Sequence, residues 1–257
     1  MPTSRGYLDH DGIVALAHRG FSPAGLENSI AAFESAIGLG CRYVETDVHA
    51  TGDGVLVAFH DDVLDRVTDA SGPIGALPWA TVSRARIGGT EPIPTLEQVL
   101  ELRTDLRVNI DVKSAAAIGP TIDVIERTRT HDRVCIASFS DARRRAVVGG
   151  LSRPVASSAG TGTIARFLLA AATGSTRAAA RVLEDVDCLQ VPERFRAVRV
   201  VSPRTVAVAH AAGVQVHVWT VNERAEMARL LDLGVDGIVT DRADVLRDVL
   251  EERGQAL

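Results

Sequence analysis

The hydrophobic pattern of this chain repeats nearly from end to end. Short apolar runs rich in β-branched residues alternate with stretches of helical length rich in Ala, Leu and Arg. This alternation is typical of repeated βα units. Eight units predict a (β/α)8 TIM barrel of class α/β, with a doubly wound open sheet as the rival architecture. The predicted strands are residues 13–17, 43–48, 106–112, 134–139, 155–158, 188–191, 214–219 and 237–240.

One region interrupts the repeat. Residues 49–105 are too many for one βα connection and are rich in Gly and Pro, so we interpret them as a small insertion after strand 2. The insertion is predicted to begin with an extra strand, residues 55–59, and to end with a helix, residues 96–102, capped by Thr95. Since no stretch has the composition of a linker, residues 1–257 are predicted to form a single domain.

Composition narrows the classes of protein to which the chain can belong. With 46% hydrophobic residues, its 257 residues can fill a sizeable core. The net charge of −5 provides no overall attraction for nucleic acid or for an anionic membrane, so an anionic small-molecule substrate must be bound locally.

The three cysteines and the N-terminal residues indicate the cellular compartment in which the protein is expected. Cys41, Cys135 and Cys188 are odd in number and widely spaced, which is typical of a reduced compartment rather than of a disulfide framework. Residues 1–11 lack an apolar signal region, and the longest apolar stretch, residues 167–172, is too short to span a bilayer. We therefore expect a cytoplasmic protein without stable membrane association.

Polar side chains recur at every second position along three predicted strands. Side chains two positions apart share a face of a strand. The outward face of a barrel must be apolar to receive helices, so these polar faces point inward and meet at the mouth. Burying ionisable groups together costs on the order of several kcal/mol each unless they are paired or bind a metal, which indicates a site. They are Tyr43, Glu45, Asp47 and His49, then Asn109, Asp111 and Lys113, and finally Gln215, His217 and Trp219.

Three of these side chains can supply hard oxygen ligands. Glu45 and Asp47 come from one strand and Asp111 from the next, although Asp111 could instead form a salt bridge with Lys113. Oxygen-rich ligation favours Mg²⁺ or Ca²⁺ over zinc. A zinc amidohydrolase-type site is disfavoured because the first strand lacks a His-x-His pair.

Two histidines and an arginine can reach this predicted metal site from loops. His18 directly follows the first strand, and His60 follows the extra strand and is itself followed by Asp61, which can orient it. Arg19 can bind two phosphate oxygens at once. Together with the carboxylates, these groups are suited to metal-assisted attack on a phosphodiester.

Other residues are weaker candidates. His217 and Trp219 are expected on the inward face of the seventh strand and could contact a substrate, although Trp219 could equally close the barrel mouth. Glu27 is a further pocket candidate beside Asn28 and Ser29, either of which can cap the first helix. The Arg143–Arg145 run is expected on a solvated helix face.

Short strings containing these residues follow one another in a fixed order along nearly the whole chain. Each is weak alone, but the ordered set is highly specific. They are Ala-His-Arg-Gly at 17–20, Glu-Asn-Ser at 27–29, Glu-Thr-Asp-Val at 45–48, His-Asp-Asp at 60–62, Leu-Asp-Arg at 64–66, Pro-Ile-Pro-Thr-Leu-Glu at 92–97, Asn-Ile-Asp-Val-Lys at 109–113, Trp-Thr-Val-Asn at 219–222 and Asp-Gly-Ile-Val-Thr-Asp at 236–241. In this order they resemble the motifs of glycerophosphodiester phosphodiesterases.

The resemblance implies a TIM-type barrel that hydrolyses glycerophosphodiesters to glycerol 3-phosphate and an alcohol with a divalent cation. It implies that His18 and His60 are the acid and base, and we favour His18 as the base. The family usually has a glutamate where this chain has Asp111, and the shorter side chain allows a water-bridged contact or a shifted metal. The resemblance assigns the remaining roles to Glu45 and Asp47 as metal ligands and to Arg19 and Lys113 as phosphate-binding groups.

Two other functions remain as alternatives. A lipid-directed phosphodiesterase, phospholipase D-like or phosphoinositide-cleaving, could use residues 164–172 as a surface helix, although an ordinary barrel helix is expected there. A non-catalytic barrel that binds a phosphate ligand is the other alternative, and the complete set of histidines, carboxylates, arginine and lysine argues against it.

Overall fold

Eight parallel strands form a nearly closed barrel in the computed structural model, which describes residues 5–9 and 12–257, except for the side chain of Arg5. Residues 1–4, 10 and 11 of the N-terminal stretch considered above lie outside the described residues. Each predicted strand is present, with ends shifted by at most a few residues. The barrel strands are β1 Val14–His18, β2 Tyr43–Ala50, β3 Arg107–Val112, β4 Val134–Ala137, β5 Ala156–Ser157, β6 Cys188–Pro192, β7 Gln215–Trp219 and β8 Gly237–Thr240.

The strands follow their order in the chain around the barrel. The first strand pairs with both β2 and β8, and the hydrogen-bonded path ends at β5 on one side and β6 on the other. A parallel bridge between Ser158 and Cys188 joins these two ends. The Asp187 backbone N–H donates to the Ser157 carbonyl at 2.9 Å across the same junction. This closure confirms the predicted TIM barrel and excludes the open doubly wound sheet.

Helices cover the outside of the barrel because the outward strand positions are apolar. Val44 and Val48 of β2, for example, belong to one buried cluster with Phe33 and Ala36 of the first long helix. No described helix has both the length and the apolar character needed to cross a membrane. The helices are α1 Arg5–Leu8, α2 Ile30–Gly38, α3 Trp79–Val82, α4 Leu96–Glu101, α5 Ile118–Thr128, α6 Asp141–Gly150, α7 Thr161–Ala172, α8 Thr176–Val182, α9 Pro203–Ala211, α10 Arg224–Asp232 and α11 Ala243–Glu251.

Inside the barrel, the amino-terminal end is apolar and closed. Tyr7 of α1 is buried there, and its ring contacts the ring of Tyr43 edge to face, with centroids 5.3 Å apart. Leu16 and Val239 belong to the same buried cluster. Because this end is filled by side chains, we expect the site at the opposite end, the mouth.

The insertion after β2 packs on the outside of the mouth and carries a small core of its own, which includes Phe59 and Ile87. Its first strand, Leu56–Ala58, pairs antiparallel with the end of β2. Its helix α4 begins with the expected cap, since the Thr95 hydroxyl accepts from the Gln98 backbone N–H at 3.3 Å. The predicted extra strand and helix are therefore both present.

Helix α7 covers most of the apolar stretch that could have formed a lipid-binding surface. Phe167, Ala170 and Ala171 are buried in the layer between helices and barrel, whereas Leu169 is 72% exposed. The expectation of an ordinary barrel helix is confirmed.

The prediction of a solvated face for the arginine run is wrong for Arg144. This side chain is 1% exposed, and its guanidinium donates to the Asp185 carboxylate and to the Asp185 carbonyl, each at 2.8 Å. Arg145 donates to the same carboxylate at 2.6 Å. Although burial opposes the shift, hydrogen bonds from Arg145 and Arg144 lower the pKa of Asp185. A buried cation therefore anchors α6 to the segment before β6.

Replacing Asp185 with alanine is expected to lower the free energy of unfolding by about 3 kcal/mol, because it leaves the buried Arg144 guanidinium without its closest carboxylate. Urea unfolding followed by circular dichroism measures this loss. The matched control is Asp132→Ala, which removes a 2.8 Å ion pair with Arg153 on a side chain that is 70% exposed. That loss should stay below about 1 kcal/mol. Equal effects of the two substitutions would contradict the structural role of Arg144.

Candidate active site

The mouth of the barrel brings the predicted site residues together. His18 ends β1 and is in register with Glu45 on β2. Asp47, two residues further along β2, is in register with Asp111 on β3. Glu45, Asp47 and Asp111 are all buried, at 7%, 2% and 8% exposure. The inward direction inferred from strand periodicity accounts for this arrangement.

His18 is held by a carboxylate that directly follows the last strand. Its Nδ1 lies 2.7 Å from Asp241 Oδ1, and its Nε2 lies 3.9 Å from Glu45 Oε2. The other Asp241 oxygen accepts from the side-chain amide of Asn222 at 2.8 Å. Although burial opposes it, the Asp241 hydrogen bond, with the charge of Glu45, raises the pKa of His18. This environment favours the protonated imidazole.

The second histidine, His60, is also bonded to an aspartate, but that aspartate has a cationic neighbour. His60 Nδ1 lies 2.6 Å from Asp61 Oδ1. Asp61 also accepts two hydrogen bonds from Arg66, at 2.6 and 3.1 Å, and these lower the pKa of Asp61 to about 2. The Arg66 guanidinium also donates a hydrogen bond to the Glu27 carboxylate at 2.6 Å. The carboxylate beside His60 is thus shared with a cation, whereas the carboxylate beside His18 is backed by a neutral amide.

Arg19 ties the first loop to the carboxylates. Its guanidinium lies 3.0 Å from Asp47 Oδ2 and donates to Glu27 at 2.9 Å, and its backbone N–H donates to Glu45 at 3.2 Å. The residue adopts a positive φ of 54°, and Gly20 follows with φ 83°. A Cβ at Gly20 would lie 2.7 Å from the Ala32 carbonyl carbon of α2, so the loop needs glycine there.

Asn28 does not cap the first helix. The hydroxyl of Ser29 accepts from the Ala32 backbone N–H at 3.1 Å and fills that role. Asn28 is completely buried in the left-handed region, at φ 60°, where its amide donates to Asp47 Oδ2 at 3.2 Å and its oxygen accepts from Thr46 at 2.8 Å. Asn28 therefore positions the Asp47 carboxylate.

Lys113 bridges two of the carboxylates. Its ammonium lies 2.7 Å from Asp47 and 2.6 Å from Asp111. Although burial favours the neutral amine, the charges of Asp47 and Asp111 raise the pKa of Lys113. It is also the only lysine in the chain, against 27 arginines. A single permanent ammonium therefore faces the acidic cluster.

If all three were ionised, the carboxylates of the cluster would outnumber the two cations beside them, Arg19 and Lys113. Burial, reinforced by the charge of Asp47, raises the pKa of Glu45 to about 8. Asp111 Oδ1 is buried without a hydrogen-bond partner. Within the described ranges, no three acidic, histidine or cysteine side chains are already grouped as a metal site. The oxygen donors, the unbonded Asp111 oxygen and the high pKa of Glu45 nevertheless fit a divalent cation.

Two aromatic rings form one wall of the mouth. Trp219 at the end of β7 contacts Phe139, which follows β4, at an angle of 72° with ring centroids 6.0 Å apart. Lys113 Nζ lies 5.7 Å from the centre of the Phe139 ring. His217, by contrast, is completely buried and lies 3.0 Å from the Gln215 side-chain oxygen, so it is not available to a substrate at the mouth.

Sequence reasoning had not assigned site roles to Asp241, Asn222 or Arg66, although each stands in one of the quoted strings. Their chemistry was visible as residue type, but their partners lie on distant segments. Phe139 had no signal beyond its position in the predicted fourth strand.

The motif order is matched by a family model. The model described as "Glycerophosphoryl diester phosphodiesterase family" matches residues 18–245, a span that contains both histidines, the three carboxylates and Lys113. The chain belongs to this family. As a glycerophosphoryl diester phosphodiesterase family member it is a phosphodiesterase, and the enzyme class expected from the sequence is confirmed.

Relatives of this glycerophosphoryl diester phosphodiesterase cover it almost completely. It is 51% identical over 250 residues to a Mycobacterium tuberculosis protein described as "Probable glycerophosphodiester phosphodiesterase 2", covering 97% of this chain and 95% of the relative. A glycerophosphodiester phosphodiesterase of Caldanaerobacter subterraneus is 31% identical, covering 94% of this chain and 99% of the relative.

A solved phosphodiesterase shares the barrel. The Oleispira antarctica enzyme, determined in complex with the product sn-glycerol-3-phosphate, superposes with a TM-score of 0.77 at 24% identity, covering 92% of this chain and 96% of that one. At this identity the likeness demonstrates the common fold.

Proposed function

We propose that this enzyme hydrolyses small glycerophosphodiesters to glycerol 3-phosphate and an alcohol, using His18 and His60 as an acid–base pair. The observation that carries the proposal is the geometry of the mouth, where two His–Asp pairs, an arginine and a lysine surround three buried carboxylates. The names of the relatives and the product in the Oleispira antarctica structure support the same reaction class. The absence of disulfides among the described cysteines is compatible with a cytoplasmic location, which is part of this proposal.

Arg19 and Lys113 bind the phosphate in this proposal. A phosphodiester carries one negative charge, and more negative charge develops on its phosphoryl oxygens as the nucleophile attacks. A guanidinium and an ammonium fixed by carboxylates before the substrate arrives need little reorganisation to stabilise that charge. Glu45, Asp47 and Asp111 would hold a divalent cation, Mg²⁺ or Ca²⁺, which supplies further charge neutralisation at the same oxygens.

The nucleophile in this proposal is the glycerol hydroxyl next to the phosphate. One histidine removes the hydroxyl proton while its oxygen attacks phosphorus, and the other histidine gives a proton to the departing alkoxide as the P–O bond breaks. The product of this step is a cyclic phosphate and the free alcohol. Water then opens the cyclic phosphate with the two histidines in exchanged roles, which yields glycerol 3-phosphate and restores both protonation states.

The hydrogen bonds favour His18 as the first acid and His60 as the first base, the reverse of the assignment preferred from sequence. Asp241, backed by the neutral amide of Asn222, leaves its full charge to stabilise a protonated His18. Asp61 divides its charge between His60 and the Arg66 guanidinium. The Asp241 hydrogen bond, with the charge of Glu45, raises the pKa of His18 although burial opposes it, and this suits His18 to donate the first proton.

Lys113 is expected to contribute directly to catalysis. Lys113→Met should lower kcat/KM for glycerophosphocholine by about 10²-fold or more, because it removes one preorganised charge from the phosphoryl oxygens. Lys113→Arg, which keeps a cation with a different shape, should retain part of the activity. Steady-state kinetics on the folded variants, with released glycerol 3-phosphate as the readout, test this expectation. Unchanged kcat and KM in Lys113→Met would exclude Lys113 from phosphate binding.

A further inference from the structure

A short β-hairpin protrudes after β6, and we name it the rim hairpin. Its two strands are Arg194–Phe195 and Val198–Arg199. Arg194 pairs with Arg199, and Phe195 pairs with Val198. Cross-strand partners share a face, so the hairpin presents an apolar pair on one side and two arginines on the other. The turn adds Arg196, whose guanidinium carbon lies 5.6 Å from the centre of the Phe195 ring.

The apolar side of the rim hairpin is open to solvent. Phe195 is 61% exposed and Val198 is 53% exposed. Across the described ranges, only four large hydrophobic side chains are mainly exposed: these two, Phe139 and Leu169. Three of the four therefore follow the carboxyl ends of β4 or β6. Exposed apolar side chains concentrated in this way mark a contact surface more often than isolated ones do.

The rim hairpin is continuous with the aromatic wall of the active-site mouth. Trp219 is in register with Pro192 in the parallel ladder between β7 and β6, and the hairpin begins two residues beyond Pro192. The Trp219 ring in turn contacts the ring of Phe139. A surface that bound the hairpin would therefore bring the catalytic mouth close to it.

The hairpin is also a basic segment on an acidic protein. Its six residues contain Arg194, Arg196 and Arg199 and no acidic residue, whereas the whole chain has a net charge of −5. Among the described residues, none of these three arginines forms an ion pair, although the charge of Arg199 helps to lower the pKa of Glu193. Glu193 itself is paired with Arg229 at 2.5 Å.

We propose that the rim hairpin docks the mouth end of the barrel reversibly on an anionic lipid surface. Phe195 and Val198 enter the interface between headgroups and acyl chains, and the three arginines contact lipid phosphates. A small apolar anchor and a small basic cluster are each too weak alone, and together they provide the two signals that peripheral binding requires. The negative charge of the rest of the protein keeps the binding weak and dependent on anionic lipid.

A nucleic acid fits this surface less well. Single strands are bound by aromatic platforms along an extended basic groove, and here one of the two apolar side chains is the aliphatic Val198. The proposal goes beyond hydrolysis and does not depend on it. The catalytic variant His60→Ala is accordingly expected to bind vesicles as the wild type does.

Co-sedimentation with vesicles tests the proposal. The full chain should partition onto phosphatidylcholine vesicles that contain roughly a third phosphatidylglycerol, remain in solution with pure phosphatidylcholine, and dissociate as salt rises from about 0.05 M to about 0.5 M. The double substitution Phe195→Ser with Val198→Ser should lower the partition coefficient about five-fold or more. The triple substitution to glutamine of Arg194, Arg196 and Arg199 should do the same.

Two matched variants separate the hairpin from general surface properties. Leu169→Ser removes an apolar side chain on α7 that is even more exposed than Phe195 or Val198, and glutamine at Arg103, Arg127 and Arg153 removes the same charge from exposed arginines elsewhere. Both should bind vesicles as the wild type does. All hairpin variants should hydrolyse water-soluble glycerophosphocholine at the wild-type rate.

Three results would overturn the proposal. The first is that wild type and hairpin variants bind vesicles equally. The second is that the control arginine variant loses as much vesicle binding as the hairpin variants. The third is that the protein binds single-stranded polynucleotide and not vesicles. The last result would assign the hairpin to a nucleic acid instead.

Discussion

Replacing either His18 or His60 with alanine is expected to lower turnover of glycerophosphocholine by about 10²–10⁴-fold while the protein stays folded. Each imidazole is fixed by a carboxylate through Nδ1, which holds the ring in one orientation and leaves Nε2 to exchange a proton with the substrate. Turnover is measured as glycerol 3-phosphate released, and folding is measured by circular dichroism. Near wild-type turnover in both folded variants would refute the two-histidine scheme.

The leaving group of the substrate distinguishes the two roles. With p-nitrophenol in place of choline, the departing oxygen needs no proton, so loss of the general acid costs much less. His18→Ala should therefore recover most of its activity on the p-nitrophenyl diester, and His60→Ala should not. Recovery in His60→Ala instead would restore the assignment of His18 as base, and recovery in neither would mean that both histidines act before the leaving group departs.

Chelation is expected to abolish the activity. Exhaustive treatment with EDTA should reduce turnover to background, and adding Mg²⁺ or Ca²⁺ should restore it, because the oxygen donors of Glu45, Asp47 and Asp111 suit a divalent cation and, once all three are ionised, outnumber the cations Lys113 and Arg19. Activity that survives chelation would exclude a divalent cation from the reaction. The same additions should raise the Tm of the wild type, since a ligand that binds only the folded state stabilises it.

Glu45→Gln provides a readout of the cation site that does not require turnover. Burial and Asp47 raise the pKa of Glu45 from 4.5 to about 8, so in the metal-free protein the folded state keeps a proton that the unfolded chain has lost. Glu45 therefore lowers the free energy of unfolding of the chelated protein as pH rises from 4.5 to 8, and the substitution should make that fall shallower by removing the contribution of Glu45. It should also abolish the Tm increase caused by Mg²⁺ or Ca²⁺. If metal still stabilised Glu45→Gln as it does the wild type, Glu45 would not be a ligand.

Local sequence signals were sufficient to predict the strands and the direction in which their polar side chains point. The alternation along β2 placed Glu45 and Asp47 on the inner face, and the structure buries both there. The Thr95 cap was equally predictable, because its hydroxyl bonds a backbone N–H only three residues away. Such features depend on neighbours within a few residues, which the sequence displays directly.

Long-range partners were not predictable in this way. Arg144 stands in a run of three arginines, and only the packing of α6 against the segment before β6 buries it beside Asp185. Asn28 was one of two candidate helix caps, of which Ser29 is the actual one, and the contact of Asn28 with Asp47 requires a left-handed backbone that depends on the path of the first loop. In both cases the partner lies on a distant segment, which the residue's own element does not reveal.

The sequence by itself was enough to predict the barrel, the family and the set of side chains available at the mouth. The spacing of polar residues along each strand and the order of the motifs depend only on the linear order of residues. Only the tertiary structure decided how those side chains are paired. Asp241 lies 223 positions from His18, and closure of the barrel brings β8 beside β1 and so brings the two together. The pairing of β6 with β7 likewise sets the rim hairpin next to Trp219. Pairing across the barrel depends on which strands become neighbours, and that is a property of the folded sheet rather than of any segment.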